Sequence, residues 1–470
     1  MYRVIAFPPP ERAGVQTPEA GARKKSYRPL NVPISKVWLQ LLPGHSLSRQ
    51  IARSFSLQML ATALTQAGSF LGLLVVARIL GKEQFGRFAL VQGTVNTLIG
   101  LGALGLGITA TKYVSEYRVS QPQRAGRILG LSHSVAALAA LVLAAVYLIA
   151  CPLLVGGHYA SSARSGALCI VFTALNGYQM GALVGFEAFR TIARISACTA
   201  LLNPVVAAFL TYYFDFTGAI LGLCVNAFAL WLLCHFGVKS ECRKWGCGVT
   251  FYGMFSEIRL LLAVSAPSSI AGIIGSAAIW LSTVMLAKQP DGLSQLGLFS
   301  AANSLRLMVM FVPNILLRVT TPRLIALRAE GQASDFRRGF RAFVFGTACA
   351  SGVAGMVVLF GRQPILALFG KEFVDPGYVV PTLLLSTFLE AVAGSLSQLL
   401  IIQGTMWRQV LAMGTWSLVL MAVARATVHS GARGLAVANL VAWSVALSIY
   451  TRLVRLRRGD EMADAVNIHS

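Results

Sequence analysis

Gln84-Phe-Gly-Arg-Phe-Ala89 and Gln295-Leu-Gly-Leu-Phe-Ser300 are one short phrase written twice, 211 positions apart, in each case just after a long apolar segment. The register continues on either side. Thr109 and Lys112 match Thr320 and Arg323, and Arg124, Gly126 and Arg127 fall where Arg337, Arg338 and Gly339 recur. Gly218-Ala219 answers Gly431-Ala432, so the offset drifts only between 211 and 213. A duplicated apolar chain predicts two similar bundles with a site where they meet.

The composition excludes an ordinary soluble domain. Apolar residues make up 56% and charged residues 12%, with a mean hydropathy of +0.68, far from globular averages. Apolar segments near the length needed to cross a bilayer recur between short polar or basic joints. Twelve spans are expected: 55–77, 86–110, 129–150, 166–186, 193–213, 217–237, 260–286, 293–317, 341–360, 379–402, 409–428 and 434–453. No run alternates as a barrel strand must. The predicted fold class is an all-α polytopic membrane protein, with two six-helix lobes related by a pseudo-two-fold along the membrane normal.

Basic residues orient it. Of the 40 Lys and Arg, the N-terminal arm, the even-numbered joints and the tail hold 30, and the odd-numbered joints hold nine. Cytoplasmic loops collect Lys and Arg, so both termini are expected in the cytoplasm. The net charge of +23 is largely this asymmetry. Its scatter over joints argues against a nucleic-acid partner. The resulting division is a cytoplasmic, disordered arm (1–53), a first lobe (54–238), a cytoplasmic linker (239–259), a second lobe (260–455) and a cytoplasmic tail (456–470). Val37, Trp38, Leu39, Leu41 and Leu42 read either as a short interfacial stretch or as part of a featureless arm.

Several motifs carry no chemistry. Gly100-Leu-Gly-Ala-Leu-Gly105 matches a dinucleotide fingerprint but lies late in a membrane span, where glycines serve close helix packing. Cys242 and Cys247 lack the partners of a zinc site. No Ser/His/Asp or Walker-type constellation occurs, so neither enzyme activity, a metal nor a cofactor is expected.

Polar residues inside spans are the informative ones, because charge at bilayer depth is costly unless it faces water or a partner. Arg306 lies mid-span, three residues from Asn303 and therefore on the same helix face. Gln92 and Asn96 hold the matching place in the first half, with Arg87 shortly before them and Arg78 closing the first span. Asn176 and Gln179 share a face in the fourth span, and Glu390 is the one acid within the tenth. Asn and Gln in spans also tie helices together, and Arg306 has an alternative as the ion-pair partner of Glu390.

Ala77-Arg-Ile-Leu-Gly81, followed by Phe85-Gly-Arg-Phe-Ala89 and a glycine-rich span ending in Thr109 and Lys112, closely resembles the opening of the polysaccharide transporter family. These are the Wzx-type flippases for lipid-linked O-antigen and exopolysaccharide units, within the multidrug/oligosaccharidyl-lipid/polysaccharide superfamily. Leu296-Gly-Leu-Phe-Ser-Ala-Ala-Asn-Ser304 looks like the counterpart after the seventh span. The resemblance covers about residues 54–455. It implies a MATE-like fold in the bacterial inner membrane, with a central cavity open to one side at a time. The implied substrate is an undecaprenyl-pyrophosphate-linked oligosaccharide, with a polysaccharide polymerase, glycosyltransferases and membrane lipids as neighbours. On that reading Arg306, Arg78 and, more weakly, Arg87 are candidates for the pyrophosphate, which a guanidinium binds bidentately. Asn303, Gln92, Asn96, Asn176 and Gln179 are candidates for sugar hydroxyls, and Glu390 for coupling to a proton gradient.

Three alternatives remain at this point. A multidrug exporter of organic cations needs acids at depth, which the first six spans lack. A lipid II flippase usually adds two spans after the twelfth, where this chain has a polar tail. A non-transporting scaffold for polysaccharide assembly predicts no intramembrane arginines.

Overall fold

Long apolar runs can satisfy their backbone in hydrocarbon by closing each N–H onto the carbonyl one turn back, and this chain does so throughout. The computed structural model describes residues 45–102, 105–155, 157–330, 332–373, 377–402 and 405–467. Within these, only the backbone is described at 45–55, 153–155, 157–158, 255–256, 259–271, 322–323, 326, 329, 406 and 455–467. The arm at 1–44, including the stretch at 37–42, lies outside the described residues. Residues 1–52 and 53–470 are separate units, and the site belongs to the second.

The helices are α1 (His45–Gly102), α2 (Leu106–Ser120), α3 (Pro122–Val155), α4 (Gly157–Arg164), α5 (Gly166–Gly185) and α6 (Phe189–Trp245). They continue as α7 (Ile258–Ala287), α8 (Gly292–Ala329), α9 (Ala333–Phe369), α10 (Val379–Ile402), α11 (Met406–Thr427) and α12 (Gly431–Asn467). No strand occurs among the described residues. Packing follows the sequence: α2, α3, α5 and α6 pack on one another, and α7 through α12 do likewise, with α2 also against α7.

Eight helical runs among the described residues are long and apolar enough to cross a membrane, and Gly272–Ala287 is a shorter apolar one. Ser56–Gly102, Phe189–Trp245 and Trp407–Val454, at 47, 57 and 48 residues, exceed twice the roughly 20 residues one crossing needs. Each contains a break. Gly81 interrupts α1 at φ 71°, ψ 174°, a backbone state essentially reserved for glycine. Asp215 interrupts α6 at φ 47°, ψ −129°, and a short 3₁₀ turn, Val428–Ser430, separates α11 from α12.

Several boundaries differ from the sequence reading. The span expected over 86–110 is cut, because Gly105 takes φ 64° and caps α2 instead of extending α1. Helices α3, α8 and α9 run well beyond their expected spans. An apolar window marks the depth of hydrocarbon, whereas the helix continues through the polar turns beyond it.

The linker after α6 is pinned to the start of α3. Thr250 N–H donates to the Gly126 carbonyl at 3.2 Å. The buried Glu257 carboxylate accepts from Arg124 at 3.0 Å and lies 3.5 Å from Arg127. That carboxylate raises the Arg124 pKa further above its ordinary value. At the duplicate positions Arg337 and Arg338 are exposed and have no ion pair among the described residues.

The repeated phrases meet in space. A Cβ on Gly86 would fall 1.8 Å from the Leu293 carbonyl oxygen, and one on Gly297 would fall 2.1 Å from that of Lys82. Both separations are far below contact distance, so α1 and α8 cross backbone to backbone. Beside the crossing Phe85 packs edge-on against Phe373 at 5.7 Å, and Phe70 against Phe369 at 5.7 Å. The Lys82 N–H donates to Glu372 at 3.3 Å. Phe85, Phe369 and Phe373 are almost wholly buried, so the halves are packed tightly together at this end.

Candidate functional site

A cavity of about 740 Å³ lies between α1, α6, α7, α8, α10, α11 and α12. Its walls draw on both halves because α1 and α6 carry first-half amides inward, while α7, α8, α10, α11 and α12 carry the second-half groups. Gln92, Asn96, Asn303, Arg306 and Glu390, five residues singled out by their chemistry in apolar spans, all line it.

Arg306 and Asn303 stand one turn apart on α8, and the Arg306 Nε donates to Asn303 Oδ1 at 2.8 Å. The Arg306 Nη1 donates to the Glu390 carboxylate on α10, and both side chains remain about a fifth exposed to the cavity. Among the described lining residues these are the charged ones, so the formal charge of the wall is zero. Arg306, a pyrophosphate candidate in the sequence, therefore does not leave the wall positive, because α10 brings an acid to it. The pair has the alternative role foreseen for Arg306, but sits inside the shared cavity. Two opposed charges at partial burial hold each other; removing either leaves the other uncompensated.

The remaining candidates are placed elsewhere. Arg78 is exposed just before the Gly81 break and does not line the cavity. Arg87 is engaged locally, donating to Gln84 Oε1 at 2.9 Å and pairing with Glu83 at 3.2 Å. Its guanidinium also lies 3.9 Å above the Tyr159 ring. Asn176 is buried and donates to the Ala227 carbonyl at 3.2 Å, tying α5 to α6. Gln179, 1% exposed, lies within the same packed bundle.

Other lining groups escaped the sequence reading. Gln66, Asn203, Asn226 and Asn439 carried the same signal as Asn96, a lone amide in an apolar span, but had no companion one turn away. Asn203 donates to the Gly68 carbonyl at 3.3 Å, holding α1 and α6 together beside the cavity. Trp280, Trp416 and Trp443 also line it. In a span an indole reads as apolar filling, so no sequence signal separated these from core. Trp280 Nε1 donates to Thr94 Oγ1 at 2.9 Å, a bond between halves. The Trp416 and Trp443 rings stand 5.1 Å apart at 44°.

No cluster of three or more metal-ligating side chains occurs among the described residues. Cys242 and Cys247 are both buried, and burial pushes the Cys242 thiol well up, which suits packing more than ligation.

Comparison with known proteins bears on fold and family separately. A multidrug resistance MATE family transporter of the MOP superfamily, in its inward-facing conformation, superposes with a TM-score of 0.71. The match is 14% identical and covers 85% of this chain and 99% of that one. Its outward-facing counterpart gives 0.66 at 16% identity over 87% and 95%. These likenesses establish a MATE-like fold. The EPS I polysaccharide export inner membrane protein EpsE of Ralstonia nicotianae is 23% identical over 404 residues, 79% of this chain and 85% of the relative. The family model described as polysaccharide biosynthesis protein matches residues 51–327. With more than half its length under that model, this membrane chain belongs to the polysaccharide biosynthesis protein family.

Proposed function

We propose that the chain is a flippase that moves undecaprenyl-pyrophosphate-linked oligosaccharide units across the bacterial inner membrane by alternating access, for O-antigen or exopolysaccharide biosynthesis. The carrying observation is the cavity: amides from both halves and indoles from the second surround Arg306, the one arginine of the described lining, whose charge is held by a neighbouring acid. The relatives named as polysaccharide export inner membrane proteins support the same cargo class and membrane.

In this reading Arg306 binds the pyrophosphate, and Asn303, Gln92 and Asn96 bind sugar hydroxyls. Arg78, Arg87, Asn176 and Gln179 are left outside the site. Glu390 couples transport to protons. Protonation neutralises the carboxylate and releases the guanidinium for phosphate oxygens, so one of the two pyrophosphate charges is matched by Arg306. The breaks at Gly81 and Asp215 and the turn before Gly431 support twelve crossings, in lobes 54–238 and 260–455 joined by 239–259. The basic joints then put both termini in the cytoplasm. Glycosyltransferases would supply the substrate and a polymerase consume it. An organic-cation exporter needs a free acid in the cavity, whereas the acid here is already paired.

The test is deletion of the gene followed by leaflet-resolved analysis of lipid-linked oligosaccharide. Accumulation on the cytoplasmic leaflet, reversed by the intact gene, is the expected result. Normal export in the deletion strain would rule the reading out.

A further inference from the structure

The two halves furnish the cavity unequally: both contribute side-chain amides, Asn303 and Asn439 among those of the second, whereas the described lining indoles all come from the second half. Of the first-half amides, Asn203 donates to the Gly68 carbonyl, whereas Gln92 and Asn96 make no side-chain hydrogen bond among the described residues. The second half contributes indoles: three of the chain's seven tryptophans, Trp280, Trp416 and Trp443, line this one space from α7, α11 and α12. Trp416 is almost wholly buried and backs Trp443, whose ring is partly open to the cavity.

A pyranose ring has this same division. Its rim carries hydroxyls, each a donor and an acceptor, which an amide matches with a donor and an acceptor of its own. Its faces carry patches of C–H, which settle on the electron-rich face of an aromatic ring. A phosphate or a polyprenyl tail has no use for both walls together. We infer that Trp443, backed by Trp416 and flanked by Trp280, is the stacking platform for one sugar of the cargo, whose hydroxyl rim faces the first-half amides. The inference rests on the flippase reading and adds to it a specificity-determining wall separate from Arg306. A sugar held this way touches both halves at once, so its occupancy biases how they close.

The experiment uses the full-length protein in nanodiscs and two probes. One is the lipid-linked oligosaccharide accumulated by the deletion strain; the other is the free oligosaccharide released from it by mild acid. Binding is read by calorimetry and by the shift of tryptophan emission. Trp443→Ala is expected to weaken the free oligosaccharide on the order of tenfold, the scale of one lost aromatic face. Trp443→Phe, which keeps a ring, is expected to stay within about twofold of wild type on the same scale. Arg306→Ala is expected to weaken the lipid-linked probe and leave the free oligosaccharide bound. Equal affinity in wild type and Trp443→Ala overturns the platform, as does a loss in Trp443→Phe matching that in Trp443→Ala. Wild type binding neither probe overturns the flippase reading itself.

Discussion

Arg306 is where the physics of one residue can be read most sharply. Its guanidinium is shared between Asn303 and Glu390, so a substrate anion must compete with a carboxylate. Arg306→Ala removes the anion contact and strands Glu390; export should fall by about tenfold or more, the scale of a lost charge-assisted hydrogen bond. Arg306→Lys keeps the charge without the fork and should recover part of that loss. Radiolabelled polysaccharide output measures both, and full export from the Ala variant would remove Arg306 from the site. In Glu390→Gln the carboxylate charge is permanently removed and the side chain no longer takes up a proton, so transport in vesicles should lose its dependence on an imposed proton gradient. An unchanged dependence would exclude Glu390 as the coupling group. Why these two were legible, and Trp443 was not, is a matter of solvation. A charge in an apolar run announces its cost, whereas an indole there looks like any other filling. Asn176 lies away from the cavity for a related reason: an amide signals its need for a partner, not which side of its helix the partner stands on.

At the level of helices, the crossing of α1 and α8 controls one end of the cavity. Backbone occupies the space a side chain on Gly86 would need, so Gly86→Leu must push the two helices apart. A cysteine at Ala89, which lines the cavity, reports this in a background lacking the exposed Cys198 and Cys349. An impermeant thiol reagent applied at the Gly86 end should label Ala89→Cys slowly, and much faster once Gly86→Leu is added. Equal labelling would mean that the crossing is not the seal. The helices themselves were legible from hydropathy, but their ends were not. Hydropathy could not foresee that Gly105 would take a left-handed turn, nor that α8 and α9 would continue past the apolar window.

For the molecule as a whole, the duplicated register in the sequence anticipated a site where the two halves meet, and the cavity draws on both. Its charge was not anticipated, because Arg306 and Glu390 are 84 residues apart and nothing local shows that α8 and α10 turn toward one space. An even number of crossings with the basic joints on the cytoplasmic side, as proposed, predicts that green fluorescent protein fused to either terminus folds and fluoresces in the cytoplasm. A dark fusion at one end and a bright one at the other would require an odd count.

The glycine crossing also carries a trace of history. Leu293 over Gly86 and Lys82 over Gly297 are a single arrangement viewed from either partner, the signature of two copies facing each other across a dyad. A primordial half-length chain would have met its twin at this very point, before any covalent join existed. The segment between α6 and α7 then tethers a pairing that the crossing already specifies. Fragments cut there and produced together should reassemble and copurify, and Gly86→Leu should keep them apart.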